Sequence, residues 1–479
     1  MANTEFCCRS GGSNLNAGTR TGNSNVPGTS ADFTYASGSW AQSTRVFTVA
    51  SGNPSTDGVA VGDFVSVYPN GSTVTPYVAR VSAVSSTTIT TDGTAKAGTA
   101  PVDGTSNRTV KVGGAWKGPN AADGFPFSTV TSSLTNSSGD LPRVNFSNEA
   151  SYLPTSSVTH NGNGVSFEGF ATSYGDKGVA KIDGGSASSF TLLTVSSSNN
   201  SFKYFEFTNN AASGSSGLVN STSYFMTFAN CIFHDCRGYA LRLAQFSSLA
   251  IECEAYNFNK NNTSSQGGFQ HAAGYGNTFI NCIAHHGAGL GFSAAANINP
   301  CHFINCIASD ITAGASQGYG FYANESGTIW QNCDAYNCVS HGFYVNQDAG
   351  HNGLTSIINC NAVKNGGWGV FLTGAGLKKV IFRNCGFGSG AAANTSGTYS
   401  GNDQESIDMV FYAAGLTPWS DPAQGNFKVT LDAAKNVGRC SFTITDTGHW
   451  SSSTSGTVDI GSAPALFDGG IVPSQVQVS

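Results

Sequence analysis

A seven-residue pattern centred on cysteine recurs through the middle of the chain and decides what the chain can fold into. FANCIFH, AIECEAY, FINCIAH, FINCIAS, WQNCDAY, IINCNAV and FRNCGFG align without gaps on Cys231, Cys253, Cys282, Cys306, Cys333, Cys360 and Cys385. Successive cysteines stand 22 to 29 residues apart. That period suits one turn of a three-sided parallel β-solenoid, in which like side chains stack at a rise of ~4.8 Å and length variation is absorbed at corners.

The columns of the alignment carry the pattern of a strand. Three positions before the cysteines stand Phe228, Ala250, Phe279, Phe303, Trp330, Ile357 and Phe382, and two after them Phe233, Ala255, Ala284, Ala308, Ala335, Ala362 and Phe387. Both columns are expected to face inward, with the mixed residues Glu254, Ile283, Asp334 and Asn361 between them facing out. Immediately before the cysteines come Asn230, Asn281, Asn305, Asn332, Asn359 and Asn384, with Glu252 as the exception. Asn tolerates the left-handed backbone of a tight corner, and stacked amides can hydrogen-bond from coil to coil.

A further strand per coil reads as GYALRL, GGFQHA, GLGFSA, GYGFYA, HGFYVN and GWGVFL, with Leu241, Phe269, Phe292, Phe321, Phe343 or Val370 filling the interior. Each buried Phe contributes about 1.5 to 3 kcal/mol, so a stack of coils makes one long core. VSFEGF from Val165, AKIDGG from Ala180, TLLTVS from Thr191 and FKYFEFTNN from Phe202 read as earlier coils in which Phe or Leu replaces Cys.

An apolar solenoid end must be covered. GFPFSTVTSSL, from Gly124, suits an amphipathic capping helix with Phe127, Val130 and Leu134 on one face. Upstream, VGDFVSVYP, TPYVARVSAV and TTITTDG alternate apolar and polar residues as a small barrel or sandwich does. FCCRSGGSNLNAGT reads as an extended segment joining the solenoid edge, which makes that domain an insertion. FKVTLDAA, RCSFTITD and GTVDIGSAPALF mark a β-rich C-terminal part. The expected fold class is all-β: a right-handed parallel β-helix over 124–400 with an N-terminal helical cap, a small N-terminal β-barrel or sandwich at about 55–112 within 1–123, and a β-rich cap or oligomerisation region over 401–479.

Composition excludes several functions. The net charge is −6, charged residues make up 10% of the chain, and no block of Lys and Arg provides the footprint of a nucleic-acid binder. No run of 18 apolar residues suggests a membrane span, and MANTEFCCRSGGSN lacks the basic and apolar regions of a secretion signal. Thirteen cysteines in a long chain are read as buried free thiols that pack as small hydrophobes. No cofactor is expected. No metal site is expected either, because on a strand the adjacent His285 and His286 face opposite sides and no other Cys/His spacing suits zinc.

Chemistry, if present, is expected three and four residues past each cysteine, where successive coils supply His234, Asp235, Tyr256, Asn257, His285, His286, Ser309, Asp310, Tyr336 and Asn337. His286 and Asp310, one coil apart, are the candidate base and its orienter. His285, Tyr256, Ser309, Tyr336 and Asn337 are the candidate glycan-binding residues, Tyr through stacking on a sugar face. The alternative is a solvated polar ladder at a corner. Glu254 and Asp334 share a column but lie three coils apart, ~14 Å, too far for a paired-carboxylate hydrolase.

The repeated xINCxAx coils with GxGF strands resemble the pectate-lyase-like right-handed β-helix superfamily, and the opening RSGGSNLNAGT and closing GTVDIGSAPAL resemble the ends of β-helix proteins encoded by tailed phages, as in their virion proteins, and by environmental bacteria. The resemblance implies a homotrimeric spike, fibre or capsid decoration, made in the host cytoplasm and released by lysis, with other virion proteins and host-surface polysaccharide as partners. The alternatives are a polysaccharide lyase or glycoside hydrolase, and a bacterial surface adhesin. Whichever holds, the cysteine column is expected to be packing. Cys306→Phe should cost roughly 1 to 3 kcal/mol by overpacking, whereas Cys306→Ala should be mild and leave binding intact; chemical denaturation and ligand binding by both variants check this.

Overall fold

The computed structural model describes residues 5–9, 17, 30–69, 76–93, 101–113, 115, 143–154, 156–185, 190–210, 217–262, 266–294, 300–315, 317–324, 327–346, 354–373, 380–383 and 385–389. Beyond these it describes the short strands Thr395–Gly397, Glu405–Ile407, Val410–Phe411, Trp419–Asp421, Asn426–Val429, Phe442–Thr443 and Ser455–Gly456. The capping helix expected from Gly124, Asn384, and most of the 401–479 region lie outside the described residues. The chain divides into two compact units, 1–212 with 218–232, and 213–217 with 233–479.

The first unit begins the solenoid with its N-terminal strand. Glu5–Cys8 pairs in parallel with Arg143–Ser147, which pairs with Ser166–Phe170, then Ser201–Lys203, then Thr227–Ala229. Phe167, Phe202 and Phe228 stack inside it with ring centroids 4.8 and 5.3 Å apart, close to the rise between coils. Between the first two of these strands the chain makes a closed antiparallel barrel, so the barrel is an insertion between neighbouring rungs. Its core holds Tyr35, Trp40, Phe47, Val65, Val67, Tyr77, Ile89 and Val110.

The barrel also takes in Phe33–Ala41 and Val46–Thr48, upstream of the 55–112 span that alternation suggests. FTYASGSWA conceals its strand because the pairing shifts register between Tyr35 and Trp40, with Ser37 left-handed at φ 59°. Such a bulge interrupts the period-two signal.

In the second unit each coil contributes three short parallel strands. One precedes the Asn-Cys corner, as in Asn277–Ile280 and Cys301–Ile304; one follows it, as in Ile283–His285 and Ile307–Ser309; the third carries the core Phe, as in Gly289–Ala294 and Gly318–Ala323. Phe269, Phe292, Phe321 and Phe343 stack at 4.9 to 5.1 Å. Among the described residues the only helix is the four-residue Pro54–Asp57, and no helix is long and apolar enough to cross a membrane.

The aligned cysteines are all buried, and their thiols do more than fill space. Each Sγ lies 3.2 to 3.4 Å from the carbonyl oxygen two residues before it, at the corner. At Cys231, and from Cys282 onward, it also lies 3.2 to 3.5 Å from a carbonyl of the preceding coil. A weak S–H donor thus meets carbonyl oxygens at the bend. Burial away from any cation pushes the Cys282, Cys333 and Cys385 thiols well up, which keeps them un-ionised.

Asn230, Asn281, Asn305, Asn332 and Asn359 have φ between 52° and 54°, and Glu252 adopts the same conformation at 52°. Asn305 Nδ2 donates to Asn281 Oδ1 at 3.1 Å, and Asn332 Nδ2 to Asn305 Oδ1 at 2.9 Å. A second left-handed column lies four residues past the cysteines, at Asp235, Asn257, His286, Asp310, Asn337 and Lys364, with φ from 49° to 55°.

Of the residues directly after the cysteines, Glu254 keeps a partly exposed outward position as expected, but those of the later coils do not form the open face expected of them. Ile283, Ile307, Asp334 and Asn361 are 6%, 2%, 0% and 1% exposed. The strand between the two left-handed corners is so short that each of these side chains is flanked by its rung partners above and below. Asp334 accepts from Asn361 Nδ2 at 3.1 Å, and burial pushes its carboxyl well above the usual range, so it is held neutral.

The corner makes a direct prediction. Asn305→Ala should destabilise the protein by about 1–2 kcal/mol, since a Cβ without a local polar partner is poorly accommodated at φ 53°. Asn305→Gly should lose less, because glycine adopts that backbone freely. Denaturant titration measures both, and an Ala variant as stable as the wild type would contradict the corner's role.

Candidate functional site

The two left-handed corners bracket the strand after each cysteine, and the second corner holds the polar stripe. All of the site lies in the second unit. Three residues past the cysteines, the His234 ring stacks on Tyr256 at 4.5 Å and Tyr256 on His285 at 5.4 Å. Both faces of Tyr256 are therefore covered, and only its edge and hydroxyl remain for a ligand; the sugar-stacking role expected of it is not available in this arrangement.

Ser309 and Tyr336, expected on the open surface, are 6% and 4% exposed. Lys364 Nζ lies 5.5 Å from the Tyr336 ring centroid and 3.3 Å from its hydroxyl. The two residues are withdrawn from any contact surface for the same reason as Ile307 and Asp334.

His286 and Asp310 lie on neighbouring rungs, since His285 is in register with Ser309. Their side chains do not meet as the expected base and orienter. Asp310 Oδ1 instead accepts from Asn337 Nδ2 at 2.6 Å, and His286 Nδ1 lies 2.8 Å from His285 Nδ1. Sequential alternation would send the two histidines to opposite faces. It fails because His286 is left-handed at φ 49°, which brings its ring back beside His285. Beyond His285 the chain of contacts continues: His285 Nε2 lies 2.8 Å from Glu254 Oε1 on the preceding coil. The orienter that the sequence reading placed one rung ahead thus stands one rung behind.

The same turn of backbone at Asp235 brings it against its neighbour His234, with Nδ1 2.7 Å from Oδ2. Lys260 Nζ donates to Asp235 Oδ1, and Asn257 Nδ2 reaches it at 3.5 Å. Beside these groups lies a depression of about 340 Å³ lined by Asn257, Asn259, Lys260, Asn262, His286 and Thr312. Gly287 also lines it, and a Cβ there would meet the Phe258 ring at 2.3 Å, so the packing under the depression requires glycine. Among the described residues no three His, Cys, Asp or Glu side chains are arranged to hold a metal ion.

Lys260 and the Glu254–His285–His286 chain escaped the sequence reading, because both arise from left-handed corners that period-two reasoning ignores. A second aromatic surface escaped it too. On the third sheet Tyr319 stacks on Tyr344 at 4.5 Å, Tyr344 on Phe371 at 5.3 Å, and His341 on Phe371 at 4.6 Å, all half-buried. Its signal lay in the residues that alternate with the core Phe in GYGFYA and HGFYVN.

Comparison with known proteins identifies the scaffold. The sequence family described as right handed beta helix region matches residues 216–405. No curated protein matches the chain. Among solved structures the chain is similar to a pectate lyase, at 20% identity over 59% of this chain and 77% of that one, with a TM-score of 0.42. It is also similar to an alginate lyase from Paenibacillus, at 10% identity over 56% and 92%, with a TM-score of 0.37. A tailspike protein from a Pseudomonas phage is similar at 13% identity over 82% and 64%, with a TM-score of 0.20. Proteins named as lyases and one named as a phage tailspike thus both stand among these similar structures.

The Asp235 cluster makes the site's acid sensitivity predictable. Partial burial draws its carboxyl upward, but the bonds and charges of Lys260 and His234 outweigh this and hold it below the usual carboxylate range. A carboxylate depressed in the folded state stabilises the fold above its unfolded pKa and loses that contribution as the pH falls through the folded value. In denaturation experiments wild type and Asp235→Asn should differ in stability at neutral pH and converge below pH ~4. A gap that persists unchanged in acid would contradict this assignment.

Proposed function

We propose that this protein is a surface component of a tailed-phage particle, a spike, fibre or capsid decoration, that holds host polysaccharide along the polar stripe of its second unit. The observation that carries the glycan reading is repetition. Asp235, Asn257, His286, Asp310 and Asn337 occupy the same left-handed corner in successive coils, so donors and acceptors recur at the coil rise of ~4.8 Å. A polymer of repeating units suits a surface whose hydrogen-bonding groups also repeat, and the depression beside Lys260 gives one unit of such a polymer a place to seat.

The particle supplies the setting. Stacked coils that bury their apolar columns against one another suit a surface spike, and the homotrimer that the sequence resemblance implies is part of this proposal. Other virion proteins would hold one end of it.

Binding is measured by affinity electrophoresis against a panel of host capsular and lipopolysaccharide glycans. Asn257→Ala and Asn337→Ala should each weaken binding about 2- to 10-fold, the loss of one hydrogen bond of ordinary net strength. Tyr344→Ala, on the third sheet, should leave it unchanged. Loss with Tyr344→Ala and none with the two Asn variants would move the site to the aromatic ladder. Immuno-electron microscopy of particles from the phage lysate should place the protein on the virion, and its absence from purified particles would contradict that placement.

A further inference from the structure

We infer that His286 is a catalytic acid–base residue that hydrolyses O-acyl esters carried by a neutral polysaccharide, with His285 and Glu254 as positioning residues behind it. The inference rests on the reading of the same stripe as a glycan site and adds a reaction to it.

With both imidazoles neutral, proton counting along the chain of contacts assigns the tautomers. Glu254 Oε1 accepts, so His285 Nε2, 2.8 Å away, carries hydrogen. In neutral His285 the other nitrogen, Nδ1, is then a bare acceptor. The 2.8 Å contact between the two Nδ1 atoms requires one donor, so His286 Nδ1 carries hydrogen and donates. His286 Nε2 is left with its lone pair, on an exposed ring that lines the depression. When Nε2 takes a proton, the resulting imidazolium is stabilised through His285 by the Glu254 carboxylate. This is the logic of a base held in one tautomer by an orienting carboxylate, with a histidine interposed.

The surrounding groups select the reaction. None of the described residues lining the depression is Asp or Glu, which leaves no carboxyl pair in it for glycoside hydrolysis. Lys260 has three donors, one of them directed to Asp235, and lines the same depression, so an ammonium is at hand for a developing oxyanion. The carboxylates of Asp235, Glu254 and Asp310 outnumber that ammonium, and a neutral chain is favoured over a polyanionic one.

The step balances with water as the only co-reactant. Nε2 of His286 takes a proton from water as the water oxygen bonds to the acyl carbon and the carbonyl electron pair moves onto its oxygen. Collapse of that oxyanion breaks the bond between the acyl carbon and the sugar oxygen. The sugar oxygen leaves with the proton returned from Nε2, and the products are a carboxylic acid and a free sugar hydroxyl.

The test uses the full chain with 4-nitrophenyl acetate and with chemically O-acetylated dextran, reading nitrophenol and acetate release, alongside binding to the acetylated dextran. His286→Asn keeps a residue suited to the left-handed corner and should lower kcat about 100-fold with the thermal midpoint retained. Glu254→Gln should lower kcat about 10-fold with KM unchanged, which a merely structural role would not do. Release that persists undiminished in His286→Asn overturns the inference, as does binding of the acetylated dextran without release by the wild type. Release from 4-nitrophenyl acetate with no binding of the dextran supports the base and overturns the polysaccharide reading. Neither binding nor release overturns both.

Discussion

The left-handed corner is the constraint on which the second unit depends. Parallel rungs stack only if every coil bends at the same place by the same amount. Here, from Cys231 to Cys360, the bend is made twice per coil, before the cysteine and four residues after it, by residues with φ near 50°. A side chain with a Cβ pays for that backbone unless it can bond locally, so the chain spends Asn and Asp there. The buried thiol next to the first bend adds a second, weaker contact to corner carbonyls that already accept the backbone N–H of the preceding coil's corner residue. The cysteine column is therefore part of the corner and more than filler between phenylalanines.

The second corner explains why polar groups collect where they do. Residues that tolerate a left-handed backbone are the same ones that donate and accept hydrogen bonds, so a structural requirement repeated in every coil also produces a polar stripe. Two departures within it matter most. At His286 a histidine occupies the corner and is turned back on His285, and at Asp235 a carboxylate is turned back on His234 and joined by Lys260. Both bring sequence neighbours together that a straight strand would separate.

The sequence disclosed what depends on period and column: the coil repeat, the inward phenylalanines, the buried cysteines and the insertion of a small β domain after Cys8. It misjudged what depends on how alternation ends. Reading His285 and His286 as opposed failed at one dihedral angle, and the same oversight paired His286 with Asp310 when Glu254, on the coil behind, is the carboxylate in reach. Asp334 and Tyr336 looked exposed because alternation about the inward Ala335 sets both of them outward, whereas the rungs above and below cover them. Contacts between coils join residues far apart in sequence, 31 positions for Glu254 and His285, and no local pattern weighs them.

Hydrogen exchange on the full chain, with and without a bound host polysaccharide, tests the central claim that the corner stripe is the ligand-holding surface. Slowed exchange should concentrate in peptides covering residues 254–262, 285–288 and 309–313, the corners and the rim of the depression. Protection confined to residues 319–322, 341–344 and 371, with none at the corners, would contradict it.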